Sequence, residues 1–203
     1  MKKLIKRVGF CFLLAAVVWG AALIRDRNLL NENLIRLHVV ANSDSAEDQS
    51  IKLQVRDAVM DSLQSSLVDV ADVQQAMVYL QNNLPLIQET ANAVLEEAGY
   101  DGEAVVTLCK EAFDTRYYDT FTLPAGVYEA LRITIGEGAG KNWWCVVFPT
   151  LCYSAAGEGF RDQAAGAGFP DALAGALEGQ EGYTLRFYLL DLLGRAENFL
   201  RFG

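Results

Sequence analysis

The sequence is poor in the residues from which metal sites and nucleophilic centres are commonly built. It has one histidine, His38, and four cysteines among 203 residues, and no two cysteines form a C-x-x-C pair. Zinc sites usually rely on such pairs. Acidic residues are spread along the chain without an Asp-Thr-Gly-like setting. We therefore predict no catalytic, cofactor-binding or metal-binding residues, and we interpret His38 as a solvated or hydrogen-bonded neighbour of Arg36 and an acid.

Glycine is concentrated in segment 136–141, but the pattern there is not that of a phosphate-binding loop. Such a loop has glycine where Ile135 stands, serine or threonine where Asn142 stands, and a helix after it. Two strand-like runs, residues 127–135 and 143–148, flank the segment. We predict that these runs form a hairpin and that segment 136–141 is its turn.

No acidic residue precedes Asp26, and residues 8–24 carry no charge at all. A basic flank, made of Lys2, Lys3, Lys6 and Arg7, stands before this apolar run. The pattern is typical of a signal peptide or a membrane anchor whose flank stays in the cytoplasm. Small residues at 20–22 match a cleavage site imperfectly, so cleavage and retention both remain open. We predict residues 1–27 as this segment and residues 28–203 as a single extracytoplasmic domain.

The exported part is strongly acidic. Four of the 17 lysines and arginines precede residue 8, which leaves 13 positive against 26 negative charges and a net charge of −13. Such a domain repels phosphate backbones and anionic lipid headgroups, so nucleic-acid binding is not expected. The acidity either keeps the domain soluble or steers a partner.

Hydrophobic periodicity predicts an α+β fold with a small, mostly antiparallel sheet packed by two long helices. Alternation over residues 34–41 predicts a strand with Arg36 and His38 on one face and apolar side chains on the other. The two helices are predicted at 46–67 and 72–98, and a further strand at 104–110.

The first long helix has two candidate capping boxes, Asp44 with Glu47 and Ser45 with Asp48. Its outer face is expected to carry ion pairs at i,i+4 spacing, made by Asp48, Lys52 and Arg56. In the second helix, Pro85 is expected to break or kink the helix, because proline lacks a backbone N–H and clashes with the preceding turn.

The remaining segments are assigned by composition. Residues 27–33 are predicted to be a polar stalk, and residues 112–123 an aromatic loop or ragged strand. Residues 154–182 contain seven glycines and eight alanines; we predict a long loop or linker with a weak helix after Pro170. Residues 184–200 fit a terminal helix, with a strand at the start, over residues 183–189, as the alternative.

Cys145 and Cys152 are the predicted disulfide pair, because disulfides persist outside the cytoplasm. On a straight strand they would be about 23 Å apart at about 3.3 Å per residue, whereas a disulfide needs Cα atoms within about 7 Å. The chain must therefore turn back, and the sequence Phe-Pro-Thr at 148–150 can supply the bend. Cys109 is expected to be unpaired. Two reduced, buried thiols at 145 and 152 are the alternative.

Trp143 and Trp144 are predicted to point to opposite faces of a strand, so that one ring fills the core and the other lies outside. An exposed tryptophan near Tyr117 and Tyr118 would suit a binding patch. Packing of both rings under the loop at 154–182 is the alternative.

Two blocks of the sequence resemble the stage II sporulation protein R family. The first is residues 36–45, Arg-Leu-His-Val-Val-Ala-Asn-Ser-Asp-Ser, continued at positions 48–49, 52 and 55–57. The second is residues 123–132, followed by Gly-x-Gly-x-Gly-x-Asn-Trp-Trp-Cys at 136–145 and Phe-Pro-x-Leu-Cys at 148–152. Thr150 departs from the family pattern, which has a second proline there, and residues 154–182 match nothing in it.

The resemblance implies an exported signalling protein of endospore formation in Gram-positive bacteria. Members of the family are made in the forespore and exported into the space between the two membranes. There they trigger a membrane-embedded aspartic protease of the mother cell, which removes the pro-sequence of a sigma factor. A member is thus a ligand and not an enzyme. The alternatives are an extracytoplasmic hydrolase or cell-wall-binding module, and a membrane-tethered structural module.

A trigger protein needs a surface that its receptor recognises, and tryptophan, tyrosine and arginine are favoured at such contacts. The candidate partner contacts are Arg36, His38, Asn42, Asp44, Tyr117, Tyr118, Trp143 and Trp144. Asn42 and Asp44 have a competing role as turn and cap residues.

Overall fold

The computed structural model describes residues 2–67, 70, 72–149, 160–166, 168–178 and 185–202. The helices are α1 (Lys2–Asn33), α2 (Ala46–Leu67), α3 (Val73–Glu97), α4 (Phe160–Gly166), α5 (Asp171–Glu178) and α6 (Leu185–Phe202). The strands are β1 (Ile35–Val40), β2 (Ala104–Phe113), β3 (Arg116–Tyr117), β4 (Thr122–Leu123), β5 (Gly126–Ile135) and β6 (Asn142–Phe148). The α+β class is confirmed.

Four strands form one mixed sheet in the order β2-β5-β1-β6. β1 runs parallel to β5, with His38 opposite Arg132, and antiparallel to β6, with His38 opposite Trp144. β2 pairs antiparallel with β5, so two of the three pairings are antiparallel. The short strands β3 and β4 form a separate antiparallel pair.

The predicted hairpin of the two runs flanking segment 136–141 is wrong. β5 and β6 do not pair with each other, because β1 lies between them. All six residues of β1 are buried, and a strand that is covered on both faces takes a central place in a sheet. Segment 136–141 therefore crosses the end of β1, and β6 pairs with the side of β1 that faces away from β5.

Helices cover both faces of the sheet. On one face, Ile35, Leu37 and Val39 of β1 join the buried apolar residues of α2 and α3 in a first core. On the other face, a second core contains residues from the end of α1 and from α4, α5 and α6. The prediction of two long helices describes only the first of these two layers.

Two segments that were predicted to be irregular are helical and packed. Residues 27–33, predicted to be a stalk, continue α1, and Leu30 is 1% exposed in the second core. Within 154–182, the described residues form α4 and α5, which bury Phe160 and Leu173 in the same core. Alanine favours helix and its small side chain permits close packing, so a composition rich in alanine did not indicate a linker here. The helix after Pro170 is confirmed as α5.

α2 has the bounds predicted for it, and α3 is one residue shorter at each end than its prediction. Asp72 caps α3 by accepting a hydrogen bond from the backbone N–H of Gln75, and Gly99 follows its end with φ +68°. Pro85 does not break the helix. It lies on the exposed side, where water can satisfy the carbonyl that its missing N–H leaves without a donor.

Candidate functional site

The two sequence blocks described above meet at the end of β1, in what we call the turn cluster (residues 41–48 and 136–141). Gly140 donates its N–H to the carbonyl of Ala41 at 2.9 Å, and Ala139 donates to the carbonyl of Asn42 at 3.0 Å. The Asn42 side-chain oxygen accepts from the N–H of Glu137 at 3.1 Å. One block therefore serves as the hydrogen-bonding template for the other.

Glycine is required at three places in this crossing. Gly136 and Gly138 have φ values of +56° and +62°, in the left-handed region that favours glycine. Gly140 is needed for space, because a Cβ atom there would lie 2.2 Å from the carbonyl oxygen of Ser43. The alternating glycines are therefore a backbone requirement of the crossover.

The beginning of α2 is tied into the same cluster through Asp48. Its carboxylate accepts from the Asn42 amide at 3.0 Å and from the Ser43 hydroxyl. Both bonds lower the pKa of Asp48 below its ordinary value, and the bond from Ser43 has the larger effect. The Ser45 hydroxyl accepts from the Asp48 N–H at 3.0 Å and caps α2. Of the two predicted capping boxes, Ser45 with Asp48 is thus formed in one half, because the Ser45 N–H donates to the Ser43 hydroxyl at 3.1 Å and the Asp48 carboxylate binds Asn42 and Ser43. Asp44 accepts from the N–H of Lys141 at 2.7 Å.

Lys52 and Arg56 are not arranged as the predicted ion-paired stripe. Lys52 is 4% exposed, and its ammonium group donates to Gln49 at 2.6 Å and to the carbonyl of Lys141 at 3.1 Å. Burial lowers the pKa of Lys52. Arg56 lies 4.3 Å above the ring of Trp143 and pairs with Asp57. Both side chains turn towards β6, because the crossover places its backbone and Trp143 beside α2.

A second group of polar side chains, which we call the buried seam (Arg36, His38, Glu111, Arg132), lies on the face of the sheet that α2 and α3 do not cover. Arg36 is fully buried. It donates to the carbonyl of Cys145 at 3.2 Å and to the hydroxyl of Tyr118 at 2.9 Å. Its guanidinium also lies 4.4 Å from the ring centre of Phe113. Arg36 Nη1 has no hydrogen-bond partner in the described part of the chain.

His38 is held between an acid and an aromatic ring. Its Nδ1 lies 2.8 Å from the carboxylate of Glu111, and because a carboxylate only accepts, Nδ1 carries the proton. The imidazole stacks on Trp144 with ring centres 5.6 Å apart. This confirms the interpretation of His38 as a hydrogen-bonded residue beside Arg36 and an acid.

Glu111 is the residue that joins the seam across three strands. It accepts from His38 on β1 and from Arg132 on β5, the latter at 2.6 Å. Burial of the Glu111 carboxyl favours its neutral form, but the bond from His38 and the charges of His38 and Arg132 outweigh burial, and the net effect lowers the pKa of Glu111. Glu111 and Arg132 were not predicted from the sequence. Their signal in the sequence is a charged side chain within a strand, and in the structure both side chains are partly buried, with 19% of Glu111 and 37% of Arg132 exposed.

The sequence model of the stage II sporulation protein R family matches residues 31–158. The chain belongs to this family. Stage II sporulation protein R of Bacillus subtilis (strain 168) is 37% identical over 137 residues, which cover 66% of this chain and 61% of that relative. No solved structure matches.

The family match covers the whole sheet, α2 and α3, and therefore both the turn cluster and the buried seam. Helices α4, α5 and α6 and residues 2–30 of α1 lie outside it. All eight predicted partner contacts fall within the matched residues. The matched part of the stage II sporulation protein R family is thus the framework that places those eight side chains.

The structure does not bring the eight predicted contacts together in one patch. Arg36 and His38 are buried, and Tyr118 and Trp144 are half-buried beside them. Tyr117 is 64% exposed near that edge. Trp143 is 38% exposed on the opposite face, over Arg56. The prediction that the two tryptophans take opposite faces is confirmed, and the contact role of all eight residues stays a prediction.

Asn42 and Asp44 lie in the turn cluster at the end of the sheet, where their side chains hold the crossover. Their role as turn residues is therefore confirmed, whereas the side chain that caps α2 is that of Ser45 and not that of Asp44. Asp44 is nevertheless exposed, so this position also borders solvent.

Cys145 is disulfide-bonded, and Cys11 and Cys109 are free. Burial raises the pKa of the half-buried Cys109 thiol. Cys152 lies outside the described residues, so the Cys145–Cys152 pairing stays a prediction. A peptide joining the two cysteines in a non-reduced digest would test it.

Proposed function

We propose that this chain is an exported signalling protein of endospore formation that activates a membrane-embedded aspartic protease, which in turn processes a pro-sigma factor. The observation that carries the proposal is membership of the stage II sporulation protein R family over residues 31–158. The apolar N-terminal helix, long enough to cross a membrane, supports export or anchoring. The alignment spans 61% of the Bacillus subtilis relative, so the activity of the whole protein is part of the proposal.

The surroundings of His38 support a signalling role over hydrolysis. The only histidine of the chain is engaged at Nδ1 by Glu111 and covered by Trp144. A general base must reach the proton that it abstracts, and His38 is 6% exposed. Its position suits the rigidity of the sheet better than contact with a substrate.

The proposal is tested in a sporulating host that lacks its own member of the family. Expression of the full chain in the forespore should restore processing of the pro-sigma factor, and deletion of residues 8–24 should abolish processing while the truncated protein accumulates in the cytoplasm. Normal processing by the truncated form would show that export is not needed. Absence of processing by a correctly exported full chain would contradict the proposed activation.

Exposed aromatic residues are the first positions to examine for receptor contact. We expect Tyr117→Ala to reduce processing at least about tenfold if it removes a contact hot spot, with secretion and thermal stability nearly unchanged. Trp143→Ala also removes the packing against Arg56 and should lower the melting temperature as well. Val78→Ala, at an exposed position of α3, is the matched control. If every variant with reduced processing is also unfolded, the aromatic contact is refuted.

The hydrolase alternative is addressed with the purified protein. Turnover of peptidoglycan or of simple esters that is lost on His38→Ala, with the fold intact, would favour the enzyme over the signal.

A further inference from the structure

The terminal helix α6 exposes its apolar side. Phe187, Leu190, Asp191 and Gly194 face the domain and are buried. The exposed large apolar residues of α6 are Leu185, Tyr188, Leu192, Leu193, Phe199, Leu200 and Phe202. At about 100° per residue, all of these except Phe202 fall on one side of the helix, directed away from the buried residues. This is the reverse of a helix that covers a soluble core.

The charged residues of α6 lie on its flanks and its inner side. Three arginines stand against two acids, Asp191 and Glu197. Asp191 pairs with Arg195, and Glu197 pairs with Arg27 and Arg201. Both acids of the helix are therefore neutralised by arginines. In a domain with a large excess of acidic residues, α6 is a local exception that does not repel an anionic surface.

Ion pairs tie α6 to α1 where the uncharged run of α1 ends. Asp26, which is 3% exposed, accepts from Arg186 at 2.8 Å, and Arg27 pairs with Glu197. Leu23 and Leu30 of α1 are buried in the same core as Phe187 and Leu190 of α6. The two helices are thus fixed to each other immediately after residues 8–24.

α1 is the feature that identifies what covers the apolar side of α6. It is long and apolar enough to cross a membrane, and only 6% of the residues in its most apolar stretch are buried against the rest of the described structure. Charged residues mark the level at which a spanning helix leaves the hydrocarbon, and here these are Arg25, Asp26 and Arg27. Because α6 contacts α1 at Asp26 and Arg27, it lies at the membrane–water interface whenever α1 spans the bilayer.

We propose that α6 lies in the plane of the extracytoplasmic membrane surface, with its apolar side at the boundary of headgroups and acyl chains. Interfacial helices have an apolar side that carries aromatic residues and leucines, and a polar side that carries arginines or lysines. Membrane contact through α6 gives the domain a second attachment besides α1 and fixes its orientation. The face of the sheet covered by α2 and α3 then points away from the bilayer.

The test uses the full chain reconstituted in vesicles of phosphatidylcholine and phosphatidylglycerol, with an environment-sensitive fluorophore on a single introduced cysteine. Cys11→Ser and Cys109→Ser remove the free thiols, and labelling is done without reductant. Leu192→Cys places the label on the exposed side of α6. Val78→Cys places it on α3, across the sheet, at a position of similar exposure. Only protein that floats with the vesicles is measured.

Lipids that carry a nitroxide near the headgroup should quench the label at position 192 and leave the label at position 78 unchanged. Equal, negligible quenching at both positions would overturn the proposal. Shielding of position 192 that depends on protein density and ignores the nitroxide lipid would also overturn it, in favour of contact between two copies of the chain. The readout needs no protease, so it is independent of the proposed signalling activity.

A variant provides a second measurement. Leu192→Glu with Phe199→Glu puts two charges into the apolar side of α6 at exposed positions, where folding does not depend on them. In this background a label at Leu185→Cys should lose the quenching that it shows in the otherwise unaltered chain. Val78→Glu with Leu86→Glu, at exposed positions of α3, is the control and should leave the quenching at position 185 in place. Retained quenching in the α6 variant would contradict membrane contact through this side.

Discussion

The two faces of the sheet are built on different principles. The face under α2 and α3 is sealed by apolar side chains such as Leu37 and Val39 of β1. The opposite face receives Arg36 and His38 from the same strand, together with Glu111 and Arg132. Apolar burial contributes free energy without directional demands, whereas each buried polar group requires a placed partner. The first face therefore rests on apolar burial, whereas the second adds to its own apolar core a set of polar contacts that makes the strand arrangement specific.

The largest effect is expected from the apolar face. Leu37→Ala removes a fully buried side chain between the sheet and the helices, and we expect a loss of about 3–4 kcal/mol in the free energy of unfolding. Urea unfolding measures this. Val78→Ala, at an exposed position of α3, should change the value by less than about 0.5 kcal/mol. A loss at position 37 no larger than that of the control would show that apolar burial on this face does not stabilise the fold as argued.

The next largest loss of stability is expected in the turn cluster, at the end of the sheet. Gly140→Ala forces a Cβ against the Ser43 carbonyl, and we expect a destabilisation of about 2–3 kcal/mol. Gly175→Ala is the control, since the nearest atom to a Cβ there is 3.8 Å away in the middle of α5. The control should be neutral or stabilise by up to about 1 kcal/mol. Thermal melts of both variants suffice, and equal melting temperatures would refute the steric argument.

A smaller effect is expected from the charge of Arg36. Arg36→Met keeps the length of the side chain but removes its bonds to the Cys145 carbonyl and the Tyr118 hydroxyl, so it should cost about 1–2 kcal/mol in the free energy of unfolding. Arg36→Ala also removes the packing against Phe113 and should cost about 2–3 kcal/mol. Equal, large losses in both variants would mean that the charge itself stabilises the seam.

The smallest effect is the contribution of Glu111, on the polar face, to the pH dependence of stability. The pKa of Glu111 is lowered in the folded state. A carboxyl group of this kind contributes its full stability above its unfolded pKa, near 4.5, and loses it as the pH falls through the lower folded value. Unfolding measured from pH 6 downwards should therefore show a shallower decline for Glu111→Gln than for the unaltered protein. Identical slopes would show that Glu111 does not carry this dependence.

Local patterns predicted the elements well and their partners poorly. The bounds of α2, the cap at Ser45, the alternation of Arg36 and His38 against Leu37, and the end of α3 at Gly99 all follow from interactions within a few residues. The pairing of β5 with β1 joins residues about 94 positions apart, as in Ile35 with Glu129, and no periodicity encodes it. The α+β class was accessible from the sequence, whereas the strand order was not.

The candidate site divides in the same way. The sequence identified the two blocks and their glycines, because backbone conformations that favour glycine leave a compositional signal. It did not identify Glu111 and Arg132, since a charge in a strand has the same appearance whether it is solvated or buried. It also assigned residues 27–33 and much of 154–182 to irregular structure, where helix packing in the second core decided otherwise.

Local sequence patterns are enough to define the helices α2 and α3, the face alternation of β1, the apolar N-terminal segment and the family. These depend on the periodicity of side chains and on contiguous motifs, which the chain carries at any conformation. Three features depend on the assembled fold: β1 separates β5 from β6, Arg36 is buried beneath aromatic rings, and α6 is fixed to the end of the apolar run of α1. Each of these depends on contacts between residues far apart in the chain, whose free energy exists only when all the layers are assembled.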